Sequence, residues 1–426
     1  MSRTLGRRTF LAGTGAVGAA GLFAPSIARA ANPKIKIGYM GSLSGSRANF
    51  GQTETWNIEK VKGLVDKGLT LNGQQYDVEI LVRDSQSEAR TSSAIGAELM
   101  LRERCNLILA QDVESAVVNG EIADTRGIPM ISTMSPLETW FFPRGGVPDS
   151  PFPYTFHFFA TADGALSAYI NMLNQLDTNK VVGTAFLDNP AGQSLMDPNI
   201  GWPRVLQQNG YEEIPTGLFQ FSTNDFSNQV AAFRDGEADV LSGFLYANHF
   251  VPLWNQVLQS GLRPKAVAMV ATFLFPSSIE ALQDSGSGML TEVWWTPAFP
   301  FKSSLTGQSS AELAQEWEDS AGAQWTQPLG YGHALWEVGL AALANAEDPL
   351  DAESLRDGIA SLSVDTIVGK VDFTNGPFPS TARTEVVGGQ WNKATDGPYP
   401  YRLDIVDNTS SPAIETTATV QPLSYS

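Results

Sequence analysis

The stretch LILAQDVESAVVNGEIADTRGIPMIS, residues 107–132, decides the fold class. Leu107 to Ala110 is a wholly apolar run of strand length, and a helix is expected from there to about Thr125. Ile128-Pro129-Met130-Ile131 is a second short apolar run. Strand, helix and strand in so short a span make a βαβ unit, whose crossover lays its two strands parallel. The same rhythm continues on both sides. Towards the N-terminus, Lys34 to Met40 alternates as a strand and ends in the loop Gly41-Ser42-Leu43-Ser44-Gly45. A helix is expected over about Gln52 to Lys67, a strand over Tyr76 to Val82, and an amphipathic helix over Ala89 to Arg104.

Towards the C-terminus, Pro136 to Pro153 interrupts the pattern with prolines and aromatics, including Trp140-Phe141-Phe142-Pro143. Helices are then expected over Asp163 to Leu176, Ser194 to Asn209, Phe226 to Arg234 and Phe250 to Ser260. They alternate with strands Val181 to Leu187, Leu218 to Phe221, Val240 to Phe244 and Ala266 to Val270. Beyond Thr374 the chain is rich in Gly, Pro, Thr and Ser, with a strand-like piece at Tyr401 to Val406. Two βα series around an irregular segment imply an α/β fold of two doubly wound lobes. In such open sheets a ligand sits beyond the carboxyl ends of the strands, so the strand-to-loop corners are where a site is expected.

Composition narrows the function classes. A chain of 426 residues exceeds what one hydrophobic core normally serves. Its 45 acids against 27 lysines and arginines give a formal charge of −18, which repels phosphate backbones, so no nucleic-acid partner is expected. One cysteine, Cys105, and three scattered histidines give no disulfide, no metal site and no cofactor motif.

Residues 1–30 carry four arginines and no acid, and Arg7-Arg8-Thr9-Phe10-Leu11 resembles a twin-arginine export motif. An Ala- and Gly-rich uncharged stretch follows, with Ala28-Arg29-Ala30 as a small-residue cleavage site. Four glycines and Pro25 argue against a spanning anchor. No cysteine follows for lipid attachment, so an exported, soluble, periplasmic protein is expected, its charge lowered to −22 by cleavage. Gly13 to Gly18 matches GxGxxG, but no strand precedes it, so the dinucleotide reading is discarded.

At this point the residues resemble a known family, the periplasmic solute-binding proteins of branched-chain-amino-acid-type ABC importers. Leu43 to Gly51 is similar to its first loop, Leu71-Asn72-Gly73 with Asp84 to Ser87 to its second unit, and Gly127 to Ser132 to its GIPxIS strand. Asp188 with Gly192-Gln193, Asn224 to Ser227, and Ala238-Asp239-Val240 are similar to later blocks in the same order. The resemblance implies two Rossmann-like lobes with parallel sheets joined by three crossover strands, placed by position near Phe156, Trp295 and Val371. Lobe 1 would then be residues 31–156 and 297–370, and lobe 2 residues 157–296 and 371–426. It also implies a monomer that hands a small organic solute to an ABC-importer membrane permease, with no catalytic residues.

Carried over position by position, the resemblance makes these residues ligand-binding: Phe50, Asp112, Val113, Ser115, Met134, Ser135, Asn189, Tyr246, Thr272 and Phe273. Free amides at the corner Gln111 to Ser115 suit a carboxylate, because a helix N-terminus favours anions. Asp112 and Glu114 would repel one, and plain helix capping by Asp112 or Ser115 is an equal alternative. Phe50 either covers an apolar solute face or packs the lobes. Tyr246 is the leading aromatic candidate of the second lobe. Amino-acid binders of the family place an acid after the strand Ala266 to Val270. This chain has Ala271-Thr272-Phe273-Leu274, so the solute lacks an α-ammonium group or pairs it elsewhere, at Asp112 or Glu114. Aromatic or short aliphatic acids, amides and amino acids are the expected solutes. Trp294 to Pro300 is expected to pack the hinge rather than wall the pocket. An exported sensory subunit and an exported hydrolase are the competing classes, although no GxSxG, HExxH, P-loop or CxxC motif is present.

Overall fold

The computed structural model describes residues 31–425, so residues 1–30, where an export signal is expected, lie outside the described residues. Its strands in chain order are β1 (Lys34–Gly41), β2 (Leu69–Leu71), β3 (Gln74–Asp84), β4 (Leu107–Ala110), β5 (Met130–Ser132) and β6 (Thr155–Phe159). There follow β7 (Val181–Leu187), β8 (Glu212–Phe219), β9 (Val240–Phe244), β10 (Ala266–Val270) and β11 (Leu290–Val293). The last are β12 (Ser363–Thr366), β13 (Gly369–Asp372), β14 (Thr381–Arg383), β15 (Val387–Lys393) and β16 (Tyr401–Asp407).

They form two seven-stranded sheets and one hairpin. The first sheet runs β14-β6-β5-β4-β1-β3-β2, parallel except for the β2–β3 pair. The second runs β16-β15-β11-β10-β9-β7-β8, with β15 and β16 antiparallel. The decisive stretch folds as expected: β4 and β5 flank the helix Val113–Arg126, which Gly127 ends in a left-handed cap.

The chain passes between the sheets three times, at residues 160–161, after Val293 and at residues 384–386. The passage after Val293 contains Trp295, whereas the first lies four to five residues beyond Phe156 and the third thirteen to fifteen beyond Val371. β6, including Phe156 and His157, pairs with β5 in the first sheet. Val371 lies in the β12–β13 hairpin, and β14 still belongs to the first sheet before the third passage. Both displacements have one cause: strands as short as β6, of five residues, and β14, of three, carry too little periodicity to say which sheet they join.

Two elements also differ. The expected helix Ser194 to Asn209 is two helices, Pro190–Met196 and Trp202–Gln208, because Pro198 and Gly201 break it. Strand β8 begins at Glu212 and contains Pro215, which an edge strand accommodates without losing a ladder bond it needs.

The three passages converge on one side chain. Tyr331, in the buried helix Gln327–Asn345, has its ring centroid 4.8 Å from Phe159 of the first passage and 5.6 Å from Trp294 of the second. Its hydroxyl is 2.6 Å from Thr384 Oγ1 of the third. Gln327 of the same helix accepts from Trp294 N at 2.7 Å and donates to Glu292 O at 3.2 Å. Two glycines let this helix sit so close. A Cβ on Gly330 would lie 2.3 Å from the Trp295 ring, and one on Gly332 would lie 2.0 Å from Glu54 Oε1. Glu54 is itself fully buried, takes a 2.6 Å bond from Tyr39 Oη, and has its carboxyl pushed up to about 8 by burial.

Candidate functional site

The carboxyl ends of the parallel strands in the two sheets face one another, and the loop after β1 spans the gap. This loop is pinned on the first lobe by Asp84, which accepts from Leu43 N at 3.0 Å and Ser44 Oγ at 2.5 Å. Gln111 pins it again, accepting from Ser42 N at 3.3 Å and donating to Phe50 O at 2.7 Å. So held, Phe50 reaches the second lobe, edge-on to Phe275 at 5.0 Å and stacked 6.4 Å from Trp294. Arg47 of the same loop pairs with Glu114, lies 3.7 Å from Asp112, and comes within electrostatic reach of Tyr246 on the second lobe. Burial lowers the Arg47 pKa from its usual value.

Asp112 is the N-cap of the helix Val113–Arg126. Its Oδ1 accepts from Ser115 N at 2.7 Å, and its Oδ2 accepts from Ser42 Oγ at 2.9 Å and Ser85 Oγ at 3.2 Å. The capping alternative therefore describes it, and one carboxylate ties together the corners of β1, β3 and β4. Val113, the first residue of the helix, is half-buried beside Glu114. Ser115 does not reach the cleft: it is wholly buried, and its hydroxyl accepts from Ser92 Oγ at 3.0 Å on the neighbouring helix. Met134, at φ 62°, is nearly buried, with its sulfur 3.4 Å from Gln111 Nε2. Ser135 is turned inward, its carbonyl accepting from His157 Nε2 at 2.9 Å, so its hydroxyl is directed at the core.

On the second lobe, Asn189 caps the helix Pro190–Met196 by accepting from Gly192 N at 2.8 Å. Asp188 beside it holds Gln193 at 2.9 Å and Gln220 at 2.8 Å. Tyr246 is 36% exposed at the end of β9, its ring 5.6 Å from Phe244. Thr272 is buried and donates to Leu245 O at 2.6 Å, joining the β9 and β10 corners. Phe273 points away into the core against Phe250, at 4.8 Å, so among the aromatics of that corner Phe275 is the one that meets the other lobe. Trp294 packs the passage against Phe159 at 5.1 Å and also presents a face to Phe50. Trp295 packs only inward, against Trp325 at 5.8 Å.

The corner after β10 is not without a carboxyl. Glu292, from the adjacent β11, accepts from Ala271 N at 3.2 Å and from the Tyr169 hydroxyl, and burial pushes it up to about 7. A lone acid in the run Leu290 to Trp295, apolar apart from Thr291, is the signal that could have found it. Arg47 was legible too, as the cation within the first loop. Phe275 and Trp294 were not, because only the tertiary fold selects which of many aromatics faces the gap.

Among the described residues no group of three or more His, Cys, Asp or Glu is placed to hold a metal ion. No helix among them is long and apolar enough to cross a membrane. His157 and His333 are buried and hydrogen-bonded to serines, and burial drives both pKa values down to about 3.

Solved structures share this architecture. The leucine-binding protein LivK of Thermotoga maritima superposes with a TM-score of 0.68 at 16% identity, covering 88% of this chain and 99% of that one. LivJ of Streptococcus pneumoniae, solved with isoleucine, gives 0.63 at 15% identity over 88% and 99%. A solute-binding protein of an ABC transporter from Rhodopseudomonas palustris, solved with 3,4-dihydroxybenzoic acid, gives 0.67 at 15% over 90% and 99%. At these identities the likeness concerns the fold. The family model described as periplasmic binding protein matches residues 34–394, most of the chain, and this protein belongs to that family.

Proposed function

We propose that this protein is the exported solute-binding component of an ABC importer, capturing a small organic solute between its lobes and presenting it to a membrane permease. The observation that carries the reading is the meeting of Phe50 with Phe275 and Trp294 across the gap between two sheets. A solute held there touches both lobes, so binding favours the closed arrangement by its extra contacts in that state. Phe50, Val113, Met134, Asn189 and Tyr246 are the candidate contacts from the earlier set, joined by Arg47, Glu114, Phe275 and Trp294. Asp112, Ser115, Ser135, Thr272 and Phe273 act by holding the corners in place. No residue is assigned a chemical step. The solute classes are aromatic or short aliphatic acids, amides and amino acids; neighbours solved with isoleucine and with 3,4-dihydroxybenzoic acid support that range.

The test is thermal unfolding of the chain from Ala31 onward against a panel of those classes, with X-ray scattering on every hit. A solute at a hundred times its dissociation constant should stabilise by about 2.7 kcal/mol. A hit that also compacts the molecule supports capture between lobes. A hit without compaction, or silence from all classes, sinks it.

A further inference from the structure

The loops that border the gap carry little positive charge. Residues 41–50, 84–88, 111–114 and 133–135 border it on the first lobe, and 188–193, 220–224, 245–249, 271–275 and 294–296 on the second. In these segments Arg47 is the single lysine or arginine, against Asp84, Glu88, Asp112, Glu114 and Asp188. Arg47 is moreover already neutralised, paired with Glu114 and 3.7 Å from Asp112.

The helix Val113–Arg126 already carries a negative charge of its own at its N-terminus, the Asp112 carboxylate. The amide of Ser115 that would receive an outside anion is bonded to Asp112 Oδ1 at 2.7 Å, and two serine hydroxyls are spent on Oδ2. A carboxylate solute would meet an acidic rim, a capped helix and an offset arginine. An N–H donor would meet Glu114, whose Oε2 pairs with Arg47 but whose side chain is about one-third exposed, and the rings of Phe50 and Tyr246, whose faces attract cations.

We infer that the cleft selects solutes whose polar head donates N–H bonds, an ammonium or a carboxamide on a planar or apolar body, and rejects free carboxylic acids, with Glu114 and Arg47 setting the preference. This rests on the solute-capture reading and narrows it. Glu114 acts as the acceptor for the solute head, and the charge of Asp112 at the helix N-terminus disfavours a carboxylate there.

The test is calorimetric titration of the chain from Ala31 onward with three probes of matched shape: benzylammonium, benzamide and benzoate. Binding of benzylammonium or benzamide at least tenfold tighter than benzoate is expected. Glu114→Gln should weaken benzylammonium at least tenfold and bring benzoate closer to it, because Arg47 loses one of its two partners. Glu114→Asp keeps the charge and should keep the preference, which separates this role from a structural one. Benzoate binding as tightly as the other two overturns the inference while leaving capture intact. Silence from all three overturns it as well, and capture is then judged by the broader panel and scattering above. An unchanged probe ratio in Glu114→Gln removes Glu114 from the account.

Discussion

Replacing Glu54 by Gln should make this protein more stable at alkaline pH and leave it nearly unchanged at acid pH. Glu54 is fully buried at the start of the helix Glu54–Val65, and burial is the main reason its carboxyl is pushed from 4.5 to about 8. One oxygen takes the Tyr39 hydroxyl at 2.6 Å, and the other has no partner. Between pH 4.5 and about 8 the unfolded chain has released this proton while the folded chain still holds it. The unfolded state therefore binds fewer protons, and stability falls as pH rises through that window, then levels above about 8. At about 1.4 kcal/mol per pH unit, the full window corresponds to on the order of 5 kcal/mol. Glutamine has the same shape and no proton to lose, so it removes the slope; Tyr39 can still donate to its carbonyl. Urea denaturation of both proteins at pH 5, 7 and 9 gives the comparison. The variant should gain on the natural chain by roughly 3–5 kcal/mol from pH 5 to pH 9. A difference that stays constant across the three pH values would falsify the reasoning, because it would mean Glu54 is ionised in the folded state.

Three further outcomes follow from the same packing. Tyr331→Phe removes the bond to Thr384 Oγ1, leaving a buried hydroxyl with one partner fewer, and should cost about 1–3 kcal/mol in denaturant titration. No loss would show that the hydroxyl finds another partner. Gly330→Ala pushes a methyl into the Trp295 ring, 2.3 Å away, and should cost about 1–3 kcal/mol unless that ring can shift. An unchanged midpoint means the helix Gln327–Asn345 has slack there. Below pH 6.5 the unfolded chain protonates its histidines, whereas His157 and His333, held near 3 by burial, stay neutral when folded. Stability from these two groups is present above pH 6.5 and is lost as pH falls towards 3; His157→Gln should flatten that loss, read as unfolding midpoint against pH.

The sequence carried the layered architecture well because the parallel strands announce themselves: β4, β7, β9 and β10 occupy the expected residues, being short apolar runs between periodic helices. Sheet membership was not legible for β6 and β14, since Thr155–Phe159 is uniformly buried and Thr381–Arg383 is only three residues long. At the site, motif position found the corners but not the direction of the side chains. Ser115 and Ser135 sit where a hydroxyl could face a solute, yet each turns to a neighbour in the core, Ser92 and His157 respectively. Phe273 and Phe275 are two residues apart in an irregular corner, and only packing decides that Phe275 meets Phe50 while Phe273 meets Phe250. The missing acid after β10 illustrates the limit of reading corners one at a time. Its place is reached laterally by Glu292, from a strand that begins twenty residues beyond β10.

The three passages between the sheets also fix an order of events during synthesis. Neither sheet can be finished until late in the chain, because the first lacks its edge strand β14 until residue 383 and the second lacks β15 and β16 until residue 407. The helix Gln327–Asn345, which packs on the first sheet, emerges only after every parallel strand of the second has left the ribosome. A growing chain therefore presents the bare apolar face of β1, β4 and β5 for most of its translation, and completes both lobes almost together at the end. Such a chain gains from a holding chaperone while it waits, and its first lobe is completed in one late step rather than piece by piece.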